Sequence, residues 1–185
     1  MKYLIHLLVI VLLSAGSSLS AAEISSEKVL VDLSKDILKT LSSRNYKALS
    51  RYVHPSLGLR LTPYSYIDIK NDRKFTAKEL SNIKQPKKKF IWGEYDGSGE
   101  PIKMTIGEYF RRFVYDADFL TKGEVTVNEV NNVEEAYPGC DFVDFMIPMI
   151  DPQYEGIDWR ALRLVYKKEK DKFYLIGIIH NEHTI

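Results

Sequence analysis

Arg160 to His180 reads RALRLVYKKEKDKFYLIGIIH: two runs of branched and aromatic residues, separated by the charged break Glu169-Lys170-Asp171-Lys172. Alternation at two residues sends successive side chains to opposite faces of a strand, and the short polar break reads as a hairpin turn. Setting Lys168 opposite Phe173 brings Tyr166 beside Leu175, Leu164 beside Gly177 and Leu162 beside Ile179 on one face. The other face then carries Val165 with Ile176, Arg163 with Ile178 and Ala161 with His180. A slip of one residue would exchange the two faces.

Two more extended runs precede this hairpin, EVTVNEV at 124–130 and DFVDFMIPMI at 141–150. Further back the period changes. From Glu27 to Leu41 the apolar residues Leu30, Leu33, Ile37 and Leu41 stand three or four apart, which makes one buried stripe on a helix. Asn45 can cap a second helix through Leu49 and Val53, which should stop near His54 because Pro55 disfavours helical geometry in the residue before it. GLRLTPYSYID, 58–68, reads as extended. Thr76 to Glu79 and Thr105 to Glu108 are two Thr-x-x-Glu capping boxes, each announcing a helix. The second helix would set Tyr109 and Phe113 on one side with Ile106, a face suited to lying on a sheet. Helices first and long antiparallel strands last make an α+β fold, with the helices gathered on one face of a bent sheet.

Four stretches carry a resemblance to a known family: SRNYKALSRYVHPSLGLRLTPYSYID, FIWGEYDGSGEPIKMTIGEYFRRFVYDADF, GIDWRALRLVY and FYLIGIIHNEHTI. Together they resemble a family of bacterial extracytoplasmic proteins, often lipoproteins, whose function is not established. The order of elements also resembles the nuclear transport factor two-like, cystatin-like cone. That resemblance implies N-terminal helices packed on a strongly curved antiparallel sheet, with a pocket at the open end. The fold hosts enzymes, binding modules and dimerisation domains, so it does not select a function.

The chain opens MKYLIHLLVIVLLSAGSSLSAA, with Lys2 ahead of an apolar run and small residues after it, the layout of a secretory signal peptide. We expect 1–22 to be that signal and 23–185 a single α+β domain, secreted or periplasmic after cleavage near Ala22. The apolar run is shorter than the roughly twenty residues a spanning helix needs. Ser17 stands where a lipoprotein would need its modified cysteine, so no stable membrane anchor is expected. The chain holds 26 basic and 25 acidic side chains, and losing Lys2 with the signal leaves them balanced. That balance argues against general nucleic-acid or anionic-membrane binding. The densest basic run, Lys84 with Lys87, Lys88 and Lys89, reads as the solvated approach to a strand. Cys140 is the single cysteine, so no intramolecular disulfide can form and cohesion rests on the core.

GEYDGSGEP, 93–101, resembles a ligand loop but lacks the lysine and hydroxyl of a phosphate-binding loop. Asp96, Ser98 and Glu100 alternate like calcium ligands, yet Pro101 and Gly107 stand where such a loop needs glycine and glutamate. The stretch reads as a turn reversing the chain. His180 and His183 lack an assigned third ligand, so no metal is expected, and no cofactor motif occurs. No Gly-x-Ser-x-Gly is present, and nothing local activates Cys140.

Six side chains remain as pocket candidates beside His180: Tyr64, Tyr66, Trp92 and Tyr109 as aromatic walls, and Asp144 and Arg163 as charges inside apolar strands. Core packing accounts for the aromatics, and an outer sheet face for the charges, as an alternative to a site. The leading functional reading is an exported module that binds a small, partly apolar ligand or an envelope partner. A second is an isomerase-like or dehydratase-like enzyme with His54 or Asp144 as base and Tyr64 or Tyr66 polarising a carbonyl. A third is a homodimerising domain that buries the outer face of its sheet.

Overall fold

The computed structural model describes residues 21–83, 87–129 and 133–183. The segment read as a signal peptide lies outside them except for Ala21 and Ala22, as does Lys84 of the basic run.

The first helix, α1, is Ala21–Ser42. Its buried stripe is Leu30, Ser34, Ile37, Leu38 and Leu41, while the expected Leu33 is only partly covered. Asn45 caps α2, its side chain accepting from the Ala48 amide, but α2 is the single turn Tyr46–Leu49 and not a helix reaching His54. The backbone after it is claimed by the sheet. Leu175 N donates to the Tyr52 carbonyl at 2.8 Å and His54 N to the Leu175 carbonyl at 3.0 Å, so Val53 forms a bridge with Leu175.

That bridge lays β1, Leu59–Thr62, parallel to a later strand, and β2, Arg73–Phe75, returns antiparallel beside it. Both capping boxes form. Thr76 accepts from Glu79 N at 3.1 Å ahead of α3, Ala77–Ser81. Between α3 and the next helix, β3 (Lys89–Glu94) and β4 (Pro101–Thr105) pair as a separate hairpin turned by Gly97 and Gly99, both at positive φ. The glycine stretch is therefore the expected turn. Thr105 accepts from Glu108 N at 3.2 Å and opens α4, Ile106–Phe113, which buries Ile106, Tyr109, Phe110 and Phe113. A further turn of helix, α5, Phe119–Lys122, is capped by Asp118.

Four strands complete the sheet: β5 (Glu124–Val127), β6 (Asp141–Ile147), β7 (Arg160–Glu169) and β8 (Lys172–Glu182). Among the described residues the sheet has six strands in the order β2-β1-β8-β7-β6-β5. Its β1–β8 pair is parallel, so the sheet is mixed and not the antiparallel one expected. On the inner face lie Leu162, Leu164, Tyr166, Leu175 and Ile178, packed in one core with α1 and α4. The hydroxyls of Ser34 on α1 and Tyr166 on β7 stand 2.6 Å apart within it. Full burial of each large apolar side chain contributes about 1.5–3 kcal/mol, which is what holds the helices on this face.

The final hairpin pairs Lys168 with Phe173 and Tyr166 with Leu175, as its alternation predicts. A bulge then inserts one residue on β8, so Val165 faces Gly177, Leu164 faces Ile178, Arg163 faces Ile179, Leu162 faces His180 and Ala161 faces Asn181. The predicted register therefore slips by one beyond Tyr166. Both Ile176 and the Gly177 position face outward, Ile176 into a second cluster with Val133, Tyr137, Phe142, Val165 and Ile179. The bulge moves His180 from the outer face, where strict alternation puts it, to the inner one.

Candidate functional site

The outer face of the sheet is built from two rows that run across its strands. Glu124 pairs with Met146, Met146 with Ala161, and Ala161 with Asn181. In the neighbouring row Thr126 pairs with Asp144, Asp144 with Arg163, Arg163 with Ile179, and Ile179 with Thr62. Apart from the buried Thr62, these rows form the floor of a pocket of about 420 Å³, with Ser65, Glu129, Val133 and Trp159 at its sides. That volume lies in the range of small-molecule sites, about 300–1,000 Å³.

Asp144 and Arg163 face each other in a forked pair. Arg163 Nε donates to Asp144 Oδ1 and Nη2 to Oδ2, both at 2.7 Å. The guanidinium also lies 4.2 Å from the Phe142 ring centroid. With side chains 20 % and 13 % exposed, the two charges satisfy each other while their edge is open to the pocket. Such planar two-point pairing is the strong form of an ion pair and gives a pre-oriented polar spot on an otherwise apolar floor.

The other sequence candidates lie elsewhere. Trp92 and Tyr109 stack on each other at 3.9 Å in the core, and Trp92 Nε1 donates to the Met104 carbonyl. Burial pushes the Tyr109 phenol well above its ordinary range, and its hydroxyl has no partner among the described residues. Tyr64 packs edge-on to Phe113, and Tyr66 is 79 % exposed. At Trp92 and Tyr109 the space expected between helices and sheet is filled by the side chains proposed to line it, whereas Tyr66 lies on the surface. His54 is buried after the α2 turn. Its Nδ1 accepts from the Ser56 and Leu57 amides, and Nε2 lies 2.9 Å from Glu169 Oε1, so both ring nitrogens are engaged in holding that turn to the hairpin.

His180 belongs to a buried charge cluster on the inner face that the sequence alone did not assemble. Arg112, from the last turn of α4, grips Glu182 with both terminal nitrogens, and the Glu182 side chain is fully buried. Arg160 Nε lies 3.1 Å from Asp116 Oδ2 and 3.0 Å from Glu182 Oε2. His180 Nδ1 donates to the Pro63 carbonyl at 3.2 Å, while Nε2 faces Asp116 Oδ1 at 3.2 Å in a geometry that is not a hydrogen bond, and neither of those two atoms has one among the described residues. Asp116, His180 and Glu182 lie close enough to surround one ion. Both Glu182 oxygens, however, are held by guanidinium groups, so the donor set suits an ion-pair network better than a divalent cation. The signal for this cluster was Arg112 following Arg111 at a helix end, and Glu182 two residues beyond His180 on a strand whose strict alternation puts both outward until the bulge turns them in; such charges are common on surfaces and neither names its partner.

Among the described residues no helix is long and apolar enough to cross a membrane. Neither a family model nor a curated protein matches the chain. A solved structure it resembles is described as a calcium/calmodulin dependent protein kinase II association domain from Xanthomonas campestris, at 16% identity over 90% of each chain, with a TM-score of 0.35. A superposition that loose assigns neither fold family nor function.

Proposed function

We propose that the protein is an exported binding module that holds a small, partly apolar ligand on the outer face of its sheet, with the ligand's polar group against the Asp144–Arg163 pair. The observation that carries this reading is the forked pair on the floor of the 420 Å³ pocket, flanked by Met146, Ala161, Ile179 and Trp159. Glu124 and Glu129 also line the pocket, and Asp144 and Arg163 cancel, so its described lining carries excess negative charge. A ligand with a cationic group, laid against the Trp159 ring, fits that balance. The export reading rests on the leader-like first 22 residues, and the helices-on-one-face arrangement supports the cone-like reading of the fold.

The test uses the two tryptophans. Trp159 lines the pocket and Trp92 is sealed in the core, so emission changes on adding members of a metabolite library report occupancy through Trp159. Ala161→Phe fills the floor and should abolish those changes while leaving the circular dichroism spectrum unchanged. If no compound alters Trp159 emission, or if the filled variant responds as the wild type does, the reading is wrong.

A second reading shares this face. Met146, Met149, Ile150, Tyr154 and Ile157 are each between 39 % and 49 % exposed near the end of β6 and in the loop leading to β7. Homodimerisation would cover them. Light scattering at several concentrations distinguishes the two readings, because a dimer sealed over this face would not exchange ligand through Trp159.

A further inference from the structure

We infer that a separate pocket of about 230 Å³, on the outer face at the β1 side of the sheet, binds a small oxyanion. Three cations line it, Arg60, Lys74 and Lys167, together with Tyr137 and Cys140, and no carboxylate does. Arg60 is 8 % exposed, donates through Nη1 to the Asp68 and Ile69 carbonyls at 3.2 and 2.7 Å, and forms no ion pair among the described residues. Asp72 is near enough for the two charges to act on each other but is not in contact with Arg60, so the buried guanidinium lacks a direct ionic partner, and an anion in the pocket would supply one.

Tyr137 adds a second buried donor. It is 6 % exposed, and among the described residues its hydroxyl has no well-formed hydrogen bond, with the Arg60 guanidinium as its polar neighbour. Burial pushes its phenol above the usual range, so it keeps its proton and can only offer it or accept. The nearby acids are occupied: Asp72 accepts from Thr62 Oγ1 at 2.6 Å, Glu134 from the Gly139 amide and Asp141 from Asn128. Guanidinium and ammonium groups with a phenol hydroxyl, all donors, match a group whose oxygens only accept, phosphate or carboxylate.

Cys140 is the chain's single cysteine and lines this pocket, which makes it a reporter. Its alkylation by iodoacetate and by iodoacetamide should be timed against a neutral small-thiol control, in phosphate, acetate and chloride at equal ionic strength. We expect the protein to favour the anionic reagent about ten-fold more than the control does, since a field of like sign raises the local concentration of anions. Phosphate or acetate, whichever is the better occupant, should protect Cys140 saturably where chloride does not, and should raise the melting temperature. Lys74→Ala with Lys167→Ala, at exposed or half-exposed positions, should remove all three effects without loss of fold. A reagent preference equal to the control's, or protection no better than chloride's, overturns the assignment.

Discussion

The Tyr137 hydroxyl lies directly over Gly177, so close that a Cβ on Gly177 would stand 2.6 Å from it. The two residues meet at the β8 bulge, and the missing side chain is what lets the 133–137 segment close over the outer face of the sheet. Gly177→Ala is expected to destabilise the protein by about 1–3 kcal/mol through overpacking. Tyr137→Leu in the same chain should recover much of that loss. Chemical denaturation of the two single variants and the double variant measures the coupling, and purely additive effects would contradict the contact.

Asp144 and Arg163 should also be coupled. Each substitution takes the forked partner from a largely covered charge, so Asp144→Asn and Arg163→Met should each cost about 1–3 kcal/mol. The double variant should cost less than the sum, which a double-mutant cycle in urea measures directly.

Glu182 and Arg112 should respond unequally. The glutamate side chain is fully buried between two guanidinium groups, whereas Arg112 is 36 % exposed at a helix end. Glu182→Gln removes the buried anion that both guanidinium groups share, leaving Asp116 as the carboxylate beside Arg160, and should cost about 3–5 kcal/mol. Arg112→Gln leaves Glu182 still paired with Arg160 and should cost less. Melting temperatures of the two variants give the order.

Asp72 should make stability fall as pH rises. Burial pushes its carboxyl up to about 6, against the opposing pull of the Thr62 hydrogen bond and the Arg60 charge. A folded-state value above the unfolded one means that the native protein holds this proton more tightly. The ionised side chain therefore costs nothing below about pH 4, and its penalty grows until about pH 6. After screening by the water that reaches it, the effect is about 1–2 kcal/mol. Asp72→Asn should flatten that part of the stability profile, with the two proteins converging at the acid end. Denaturant midpoints at half-unit pH intervals would show it, and parallel profiles would refute it.

Neighbours along the chain were readable in proportion to how local their chemistry is. Thr76 with Glu79 and Thr105 with Glu108 close capping boxes within one turn, so no distant residue has to agree. Gly97 and Gly99 turn the β3–β4 hairpin for the same reason. The reading failed where a remote group intervened. Local pattern runs a helix through Val53 to near His54, but Leu175 takes the Tyr52 carbonyl and the His54 amide on either side of Val53. Beyond Tyr166 the alternation misassigned partners because an extra residue on β8 keeps both Ile176 and Gly177 on the outer face beneath the 133–137 segment.

The candidate site divides in the same way. Asp144 and Arg163 stood out as charges inside apolar strands, and the tertiary structure shows that they face each other across β6 and β7. Tyr64, Trp92 and Tyr109 matched a pocket wall by residue type, yet an aromatic ring that lines a cavity and one that fills it look alike in a sequence.

Composition and periodicity by themselves determined an α+β chain with balanced charge, an unpaired cysteine, two boxed helix starts and a long terminal hairpin, because each depends on residue types or on contacts a few positions apart. Only the three-dimensional arrangement decided that β1 runs parallel to β8, that the bulge turns His180 inward to Asp116, and that the pockets open on the face away from the helices. These are pairings between distant segments, settled by which of several comparably stable registers buries the most apolar surface while leaving the fewest charges unmatched, and no local pattern encodes that comparison.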